Sequence, residues 1–148
     1  MNIPWSLAVS ETLASVYVLD SFALLAYLEG ESGADRVQTV LRAASKQTAR
    51  VYLSQINLGE VLYITERERG LAATQKVLAA IEQLPLDLLA VTKERILEAA
   101  HIKAHCAVAY ADAFAVAAAK ELGGVILTGD PEYSTVKELV AIEWLPRE

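Results

Sequence analysis

Short apolar runs alternate along the chain with longer segments that have helical spacing. The runs at residues 16–19, 50–53, 86–91, 125–128 and 142–144 predict strands, the last of them at a sheet edge. Helices are predicted at about residues 21–29, 33–45, 55–69, 72–83, 93–105 and 112–122, with a short one from residue 131. Ser32 is the predicted cap of the second helix, and Gly70 is predicted to end the third.

The alternation of strands and helices predicts the fold class. It implies a three-layer α/β/α sandwich around a central, mostly parallel sheet of four to five strands. Ligands of such sheets bind beyond the carboxyl ends of the strands, at a topological switch point. Residues 1–15 lack clean periodicity, so we expect an N-terminal extension there and a single domain over residues 16–148.

Composition supports a well-filled core and narrows the range of partners. The 148 residues are 54% hydrophobic, which favours a folded domain over disorder. A net charge of −6 argues against non-specific nucleic-acid binding through a basic surface, although an acidic metal pocket would itself contribute negative charge. The single cysteine, Cys106, cannot form an internal disulfide, and no basic segment precedes the first apolar run. We therefore expect a cytoplasmic protein.

Four acidic residues lie in apolar sequence, where a carboxylate is costly to bury without a partner. They are Asp20 in YVLDSFALL, Glu60 in INLGEVLYI, Asp112 in VAYADAFAVA and Asp130 in VILTGDPEY. Asp20 and Asp130 directly follow predicted strands, and Asp112 begins a predicted helix. All three can therefore point to the same end of the sheet, as a shared site requires.

Each acid also has a simpler explanation. Glu60 shares a helix face with Ile56 and Ile64, so it either lies in a shielded site or is rotated to reach water. The three aspartates precede helices and could act as N-caps, a role compatible with metal binding because a carboxylate has about four acceptor sites. These readings stay open until the side chains are placed.

Two other groups of residues are candidates for a binding site. Glu98, His101 and His105 fall on one helix face like a metal-binding stripe, but no further ligand completes zinc coordination, and we expect a partly exposed surface. Arg67 and Arg69 either end a solvated helix or contact phosphate.

Together, the four acids favour a hard divalent cation. Clustered carboxylates raise one another's pKa unless a cation neutralises them. Without His or Cys partners they suit Mg²⁺ or Mn²⁺, which can activate water and stabilise charge on a phosphoryl oxygen. The residues therefore predict phosphodiester hydrolysis without a covalent enzyme nucleophile.

The four motifs, in this order, resemble the PIN-domain family and, within it, the VapC-type toxins of toxin–antitoxin pairs. The resemblance covers residues 16–145 and rests on LDSFALLAYL, SQINLGEVLY, YADAFAVAAAK and LTGDPEY. The catalytic and metal-binding acids that it implies are Asp20, Glu60, Asp112 and Asp130, with Asn57 and Thr128 in support. It also implies a Mg²⁺- or Mn²⁺-dependent endoribonuclease that cuts single-stranded or loop RNA, a homodimer, and a VapB-like antitoxin over the active site.

Two features depart from this resemblance. The stretch before Asp20 is longer than is usual for the family, and the domain is acidic, so RNA affinity must come from local Lys and Arg side chains. The alternatives are a housekeeping RNA-processing nuclease with the same chemistry and a non-catalytic interaction module on the same fold. A phosphate-handling receiver or phosphatase domain is disfavoured, because no second acid accompanies Asp20.

Overall fold

A computed structural model describes residues 14–147 and has a five-stranded sheet at its centre. The strands are β1 (Ser15–Leu19), β2 (Ala49–Ser54), β3 (Asp87–Leu89), β4 (Val125–Thr128) and β5 (Ala141–Trp144). They follow the order β3-β2-β1-β4-β5, and every neighbouring pair is parallel. The extension expected at residues 1–15 lies outside the described residues up to position 13, and β1 already begins at Ser15.

Within residues 14–147, five α-helices cover the two faces of the sheet. They are α1 (Ser21–Glu29), α2 (Ala34–Ser45), α3 (Gln55–Glu82), α4 (Lys93–His105) and α5 (Tyr110–Leu122), and a 3₁₀ helix spans Pro131–Val136. The backbone of α3 is non-helical at Gly70, where φ is 88° and ψ is 172°. The two helices predicted on either side of Gly70 are therefore the two halves of α3, joined at a kink.

Successive strand residues point to opposite faces, so each strand contributes to two cores. Leu19 packs with Val51, Leu53 and residues of α1, α2 and α3, whereas Val18 packs with Ile126 and residues of α4 and α5. The predicted three-layer α/β/α sandwich is thus confirmed. Within residues 14–147 no single helix is long and apolar enough to cross a membrane; α4 and α5 reach that length and composition only jointly, across a 115° bend.

Several predicted boundaries differ from the observed ones by one or two residues. Gly33, not Ser32, precedes α2, because the chain enters this helix through a residue with a positive φ of 95°. The third strand ends at Leu89 rather than residue 91, because its partner β2 ends at Ser54, where α3 begins. The helix predicted from Asp112 begins two residues earlier, after Ala109.

Candidate functional site

The carboxyl ends of β1 and β4 form the switch point of the sheet, because the chain connects outward to opposite sides from these two strands. Leu19 pairs in register with Leu127, so the residues that follow leave the same edge. Asp20 follows β1 and is only 1% exposed, and Asp130 lies two residues beyond β4 and is half-buried. Both lie where the apolar runs predicted a ligand site.

Two helices bring the other predicted acids to this edge. Asp112 lies in the first turn of α5, three residues after the N-cap Ala109, and is 8% exposed. The N-cap explanation for Asp112 is therefore wrong, and its carboxylate remains for other partners. Glu60 lies in the second turn of α3, half-buried, and accepts a hydrogen bond from the hydroxyl of Ser21 at the start of α1.

One tight group of acids includes a residue that the sequence analysis missed. Carboxylate oxygens of Asp112, Asp130 and Glu132 all lie within 4.8 Å of one another, close enough to share a cation. Glu132 is exposed and lies in the 3₁₀ helix directly after Asp130. The available signal was a second acid two positions after the first, in the sequence DPE.

Asp20 and Glu60 stand outside this tight group but within electrostatic range of it. The pKa of Asp20 is raised to about 7, chiefly by burial; the hydrogen bonds from Thr128 and Ala23 oppose the rise, and the charges of Asp112 and Asp130 contribute to it. The pKa of Asp112 is raised to about 6, again chiefly by burial; the hydrogen bond from Tyr133 opposes the rise, and the neighbouring acids, Asp130, Glu60 and Glu132, contribute to it. The four predicted acids therefore converge, together with Glu132, on one end of the sheet.

Neutral hydroxyl groups hold three of these carboxylates in place. Thr128 donates to Asp20 Oδ2 at 2.5 Å, Ser21 donates to Glu60, and the Tyr133 hydroxyl donates to Asp112 Oδ1 at 3.0 Å. Burial, followed by the neighbouring negative charges, raises the pKa of Tyr133 well above its ordinary value, so its hydroxyl stays protonated. Such donors orient a carboxylate without neutralising it, which leaves its charge available to a cation.

The capping explanation is correct for two of the aspartates. Asp20 Oδ1 accepts from the backbone N–H of Ala23 at 2.8 Å and caps α1, and Asp130 Oδ1 accepts from the N–H of Glu132 at 2.9 Å. Each cap uses one oxygen of the carboxylate. Capping and metal binding are therefore compatible in this geometry.

Asn57 of α3 links α1 to α5 by hydrogen bonds from its side chain. It is fully buried, and its amide nitrogen donates to the Ser21 hydroxyl at 3.4 Å and to the carbonyl of Ala111 at 3.2 Å. Its side-chain oxygen Oδ1 has no hydrogen-bond partner among the described residues. A buried acceptor without a partner normally has a bound water or ion.

The loop between Thr128 and Asp130 also depends on an apolar contact. A β-carbon placed on Gly129 would lie 2.3 Å from the Phe22 ring, in the first turn of α1. Gly129 therefore allows the loop that carries Asp130 to pass close to the Phe22 ring, and a larger residue there would require the ring or the loop to move.

The donor set fits a hard divalent cation. The groups at this end of the sheet are carboxylate oxygens and one unpartnered amide oxygen, the ligand type that Mg²⁺ and Mn²⁺ prefer. The competing stripe on α4 is not such a site within residues 14–147, because Glu98 pairs with Lys120 at 2.9 Å and the exposed rings of His101 and His105 contact each other.

Comparison with known families decides the classification. Residues 17–139 match the family described as PIN domain. The chain belongs to the PIN-domain family. This PIN domain has the fold expected from its sequence motifs, and two of its acids, Asp20 and Asp130, follow strands as those motifs predicted. No curated protein matches the chain.

Solved structures of toxin–antitoxin proteins share the fold of this PIN domain. VapBC2 from Rickettsia felis, bound to a promoter DNA fragment, matches with a TM-score of 0.70 and 12% identity over 88% of this chain and 99% of that one. VapC20 from Mycobacterium tuberculosis, a sarcin–ricin-loop-cleaving toxin, matches with a TM-score of 0.67 and 19% identity over 89% of this chain and 100% of that one. DNA-bound VapBC from Salmonella typhimurium matches with a TM-score of 0.64 and 21% identity over 87% of this chain and 97% of that one. At these identities the likeness establishes the shared fold.

Proposed function

We propose that this PIN domain is a Mg²⁺- or Mn²⁺-dependent endoribonuclease that hydrolyses RNA phosphodiester bonds. One observation carries the proposal: acids from four different segments meet at the switch point, and within residues 14–147 none of them is paired with a Lys, Arg or His side chain. Asp20 and Asp112 are buried there, so their ionised forms need a positive partner from outside the chain.

Asp112, Asp130 and Glu132 would hold the cation, because their oxygens already lie within 4.8 Å of one another. Asp20 and Glu60 would complete the ligand set, because both lie close enough to Asp112 for the charges to interact. When bound, the ion supplies an activated water and neutralises charge on the phosphoryl oxygens. The chain itself supplies orientation: Thr128, Ser21 and Tyr133 each hold one carboxylate by a hydroxyl donor, and Asn57 ties α1 to the start of α5.

We further propose that the domain is the toxin of a type II toxin–antitoxin pair, bound by a VapB-like antitoxin and assembled as a homodimer in the cytoplasm. Support comes from the fold shared with VapC20 and with the VapC chains of VapBC complexes. Expression of the chain alone should arrest growth, and a small partner encoded beside it should relieve the arrest and co-purify. A housekeeping nuclease of the same chemistry would cleave RNA without causing arrest.

The hydrolytic proposal is tested by cleavage of labelled loop and single-stranded RNA by the purified chain. Cleavage should require Mg²⁺ or Mn²⁺, stop in EDTA, and be lost in Asp20→Asn while the circular dichroism spectrum stays native. Lys120 neutralises Glu98 on α4, so Glu98→Gln is the matched acid-to-amide control and should cleave normally. Cleavage in EDTA would refute the metal mechanism, and no cleavage by the wild-type chain would favour a non-catalytic module.

A further inference from the structure

The outer face of α3 extends from the acidic site toward a pair of exposed side chains. Tyr63 and Arg67 follow Glu60 at three and seven residues, spacings that keep all three on one side of a helix. Along the axis Arg67 lies about 10 Å beyond Glu60, at about 1.5 Å per residue. The pair is therefore about two helical turns from a proposed ligand of the cation.

Tyr63 and Arg67 contact each other and have surface free for a ligand. The Arg67 guanidinium lies 4.9 Å from the centroid of the Tyr63 ring, and 48% of Tyr63 is exposed. Arg36 and Arg95 are bound to Glu143 and Glu121. In contrast, Arg67 has no carboxylate within ion-pair distance in the described part of the chain. A stacked guanidinium keeps its N–H edge free for a phosphate.

We propose that Tyr63 and Arg67 form an RNA subsite beside the cleavage site, in which Arg67 binds a backbone phosphate and the Tyr63 ring stacks on a nucleobase. This inference rests on the proposed nuclease function. A chain with a net charge of −6 repels RNA over most of its surface, so a cationic group in line with Glu60 has a disproportionate effect on where the strand lies.

The chemistry of the pair favours RNA over a protein partner. Aromatic stacking accepts any base, and an arginine beside the ring adds a phosphate contact, the combination found in single-strand binding sites. The shallow depression here is lined by Tyr63, Glu66 and Arg67. Glu66 opposes a phosphate and limits the affinity, so we expect the subsite to position the strand rather than dominate binding.

Arg69 provides a matched control. It is an exposed arginine of the same helix, but two residues further on it projects about 160° away from Arg67 by helical geometry. Arg67→Ala and Arg69→Ala remove the same charge from opposite faces. For the ring, Tyr63→Phe keeps the stacking surface and Tyr63→Ala removes it.

The experiment measures binding of a fluorescein-labelled single-stranded RNA by anisotropy in EDTA at several salt concentrations. Arg67→Ala and Tyr63→Ala should each raise Kd about fivefold or more, whereas Tyr63→Phe and Arg69→Ala should change it less than about twofold. Arg67→Ala should also lower the salt slope of log Kd by about 0.7, the loss of one phosphate contact. All four variants should unfold near the wild-type temperature, because all three positions are exposed.

Equal weakening by Arg67→Ala and Arg69→Ala would reduce the effect to net charge and overturn the subsite. No effect of Arg67→Ala, or no binding by the wild-type chain at low salt, would overturn it as well and leave the pair to a protein interface. The kcat/KM values in Mg²⁺ separate this inference from the nuclease proposal. If RNA is cleaved and kcat/KM is the same for Arg67→Ala and Arg69→Ala, only the subsite is refuted. If Kd rises for Arg67→Ala and not for Arg69→Ala but no RNA is cleaved, only the hydrolysis is refuted.

Discussion

Two acidic regions of this molecule differ in the groups that compensate their carboxylates. On the face formed by α4 and α5, Glu121 pairs with Arg95 at 3.0 Å and Glu98 with Lys120 at 2.9 Å, and these side chains are partly exposed. At the carboxyl ends of β1 and β4, Asp20 and Asp112 are more deeply buried and have hydroxyl and backbone donors instead of cations. The first region balances its own charge, whereas the acids of the second have no cationic side chain beside them within residues 14–147.

The difference is visible in the direction of the pKa shifts. The hydrogen bond from Arg95, followed by its charge, lowers the pKa of Glu121 despite partial burial, as expected for a compensated acid. Burial raises the pKa of Asp20 to about 7 and that of Asp112 to about 6, because hydroxyl donors only partly offset the loss of water. A site that destabilises its own ionised form is typical of function rather than of structural support.

The largest expected effect comes from removing one of the proposed cation ligands. Asp112→Asn should lower metal-dependent RNA cleavage by about 10³-fold or more, because the cation's contribution of several kcal/mol is lost. The fold should survive, since the substitution also removes a buried negative charge. Rates under single-turnover conditions measure the effect. A loss of less than tenfold would place the chemistry elsewhere.

The pH dependence of stability should distinguish the two regions next. Folded-state pKa values of about 7 for Asp20 and about 6 for Asp112, raised from 3.8, mean that folding favours their protonated forms. Their contribution to the free energy of unfolding is therefore full below about pH 4 and is lost as the pH rises through 6 and 7.

We accordingly expect the melting temperature of the metal-free chain to fall by roughly 5 °C between about pH 5 and pH 8. Saturating Mg²⁺ should raise it more at the higher pH, because the cation binds ionised carboxylates. In Asp20→Asn the fall should shrink. A metal-free melting temperature that rises over this interval would contradict the assignment of uncompensated acids.

A smaller effect should come from the hydroxyl that holds Asp112. Tyr133→Phe keeps the buried ring but removes the 3.0 Å hydrogen bond, so Mn²⁺ affinity should fall about tenfold, as for other residues that orient metal ligands. Calorimetric titration measures it. Tyr17→Phe is the control, because the Tyr17 hydroxyl accepts from Arg36 in an ion-pair region. Equal affinities for wild type and Tyr133→Phe would show that the hydroxyl does not orient Asp112.

The smallest effect is expected on the face formed by α4 and α5, where the acids pair with Arg95 and Lys120. Glu121→Gln should lower the free energy of unfolding by less than about 1 kcal/mol, because partly exposed ion pairs are screened by water. Mn²⁺ affinity and cleavage should not change. Chemical denaturation and the same calorimetric titration provide the test, and any loss of metal affinity would mean that the two regions are coupled.

The sequence was sufficient for the parts of the site that follow from local pattern. The positions of Asp20 and Asp130 were predictable because each closely follows an apolar strand, and parallel strands end at one edge. Glu60 was predictable because it interrupts the apolar face of a helix. The three-layer fold followed from the alternation of elements, and its all-parallel pairing agrees with that pattern.

What could not be predicted depends on packing between distant segments. Tyr133 reaches Asp112 across 21 positions, and Ser21 reaches Glu60 across 39. No periodicity encodes these contacts. Glu132 was missed because a short 3₁₀ turn has no hydrophobic pattern, and an exposed acid there resembles ordinary surface.

Gly129 lies where the loop that carries Asp130 packs against an uncharged side chain of α1. The Phe22 ring fills the volume where any larger residue at position 129 would place its first carbon. An alanine at position 129 would force either the Phe22 ring or the loop that carries Asp130 to shift. The location of a carboxylate in the candidate site is therefore sensitive to a neighbour that has neither charge nor hydrogen-bonding group.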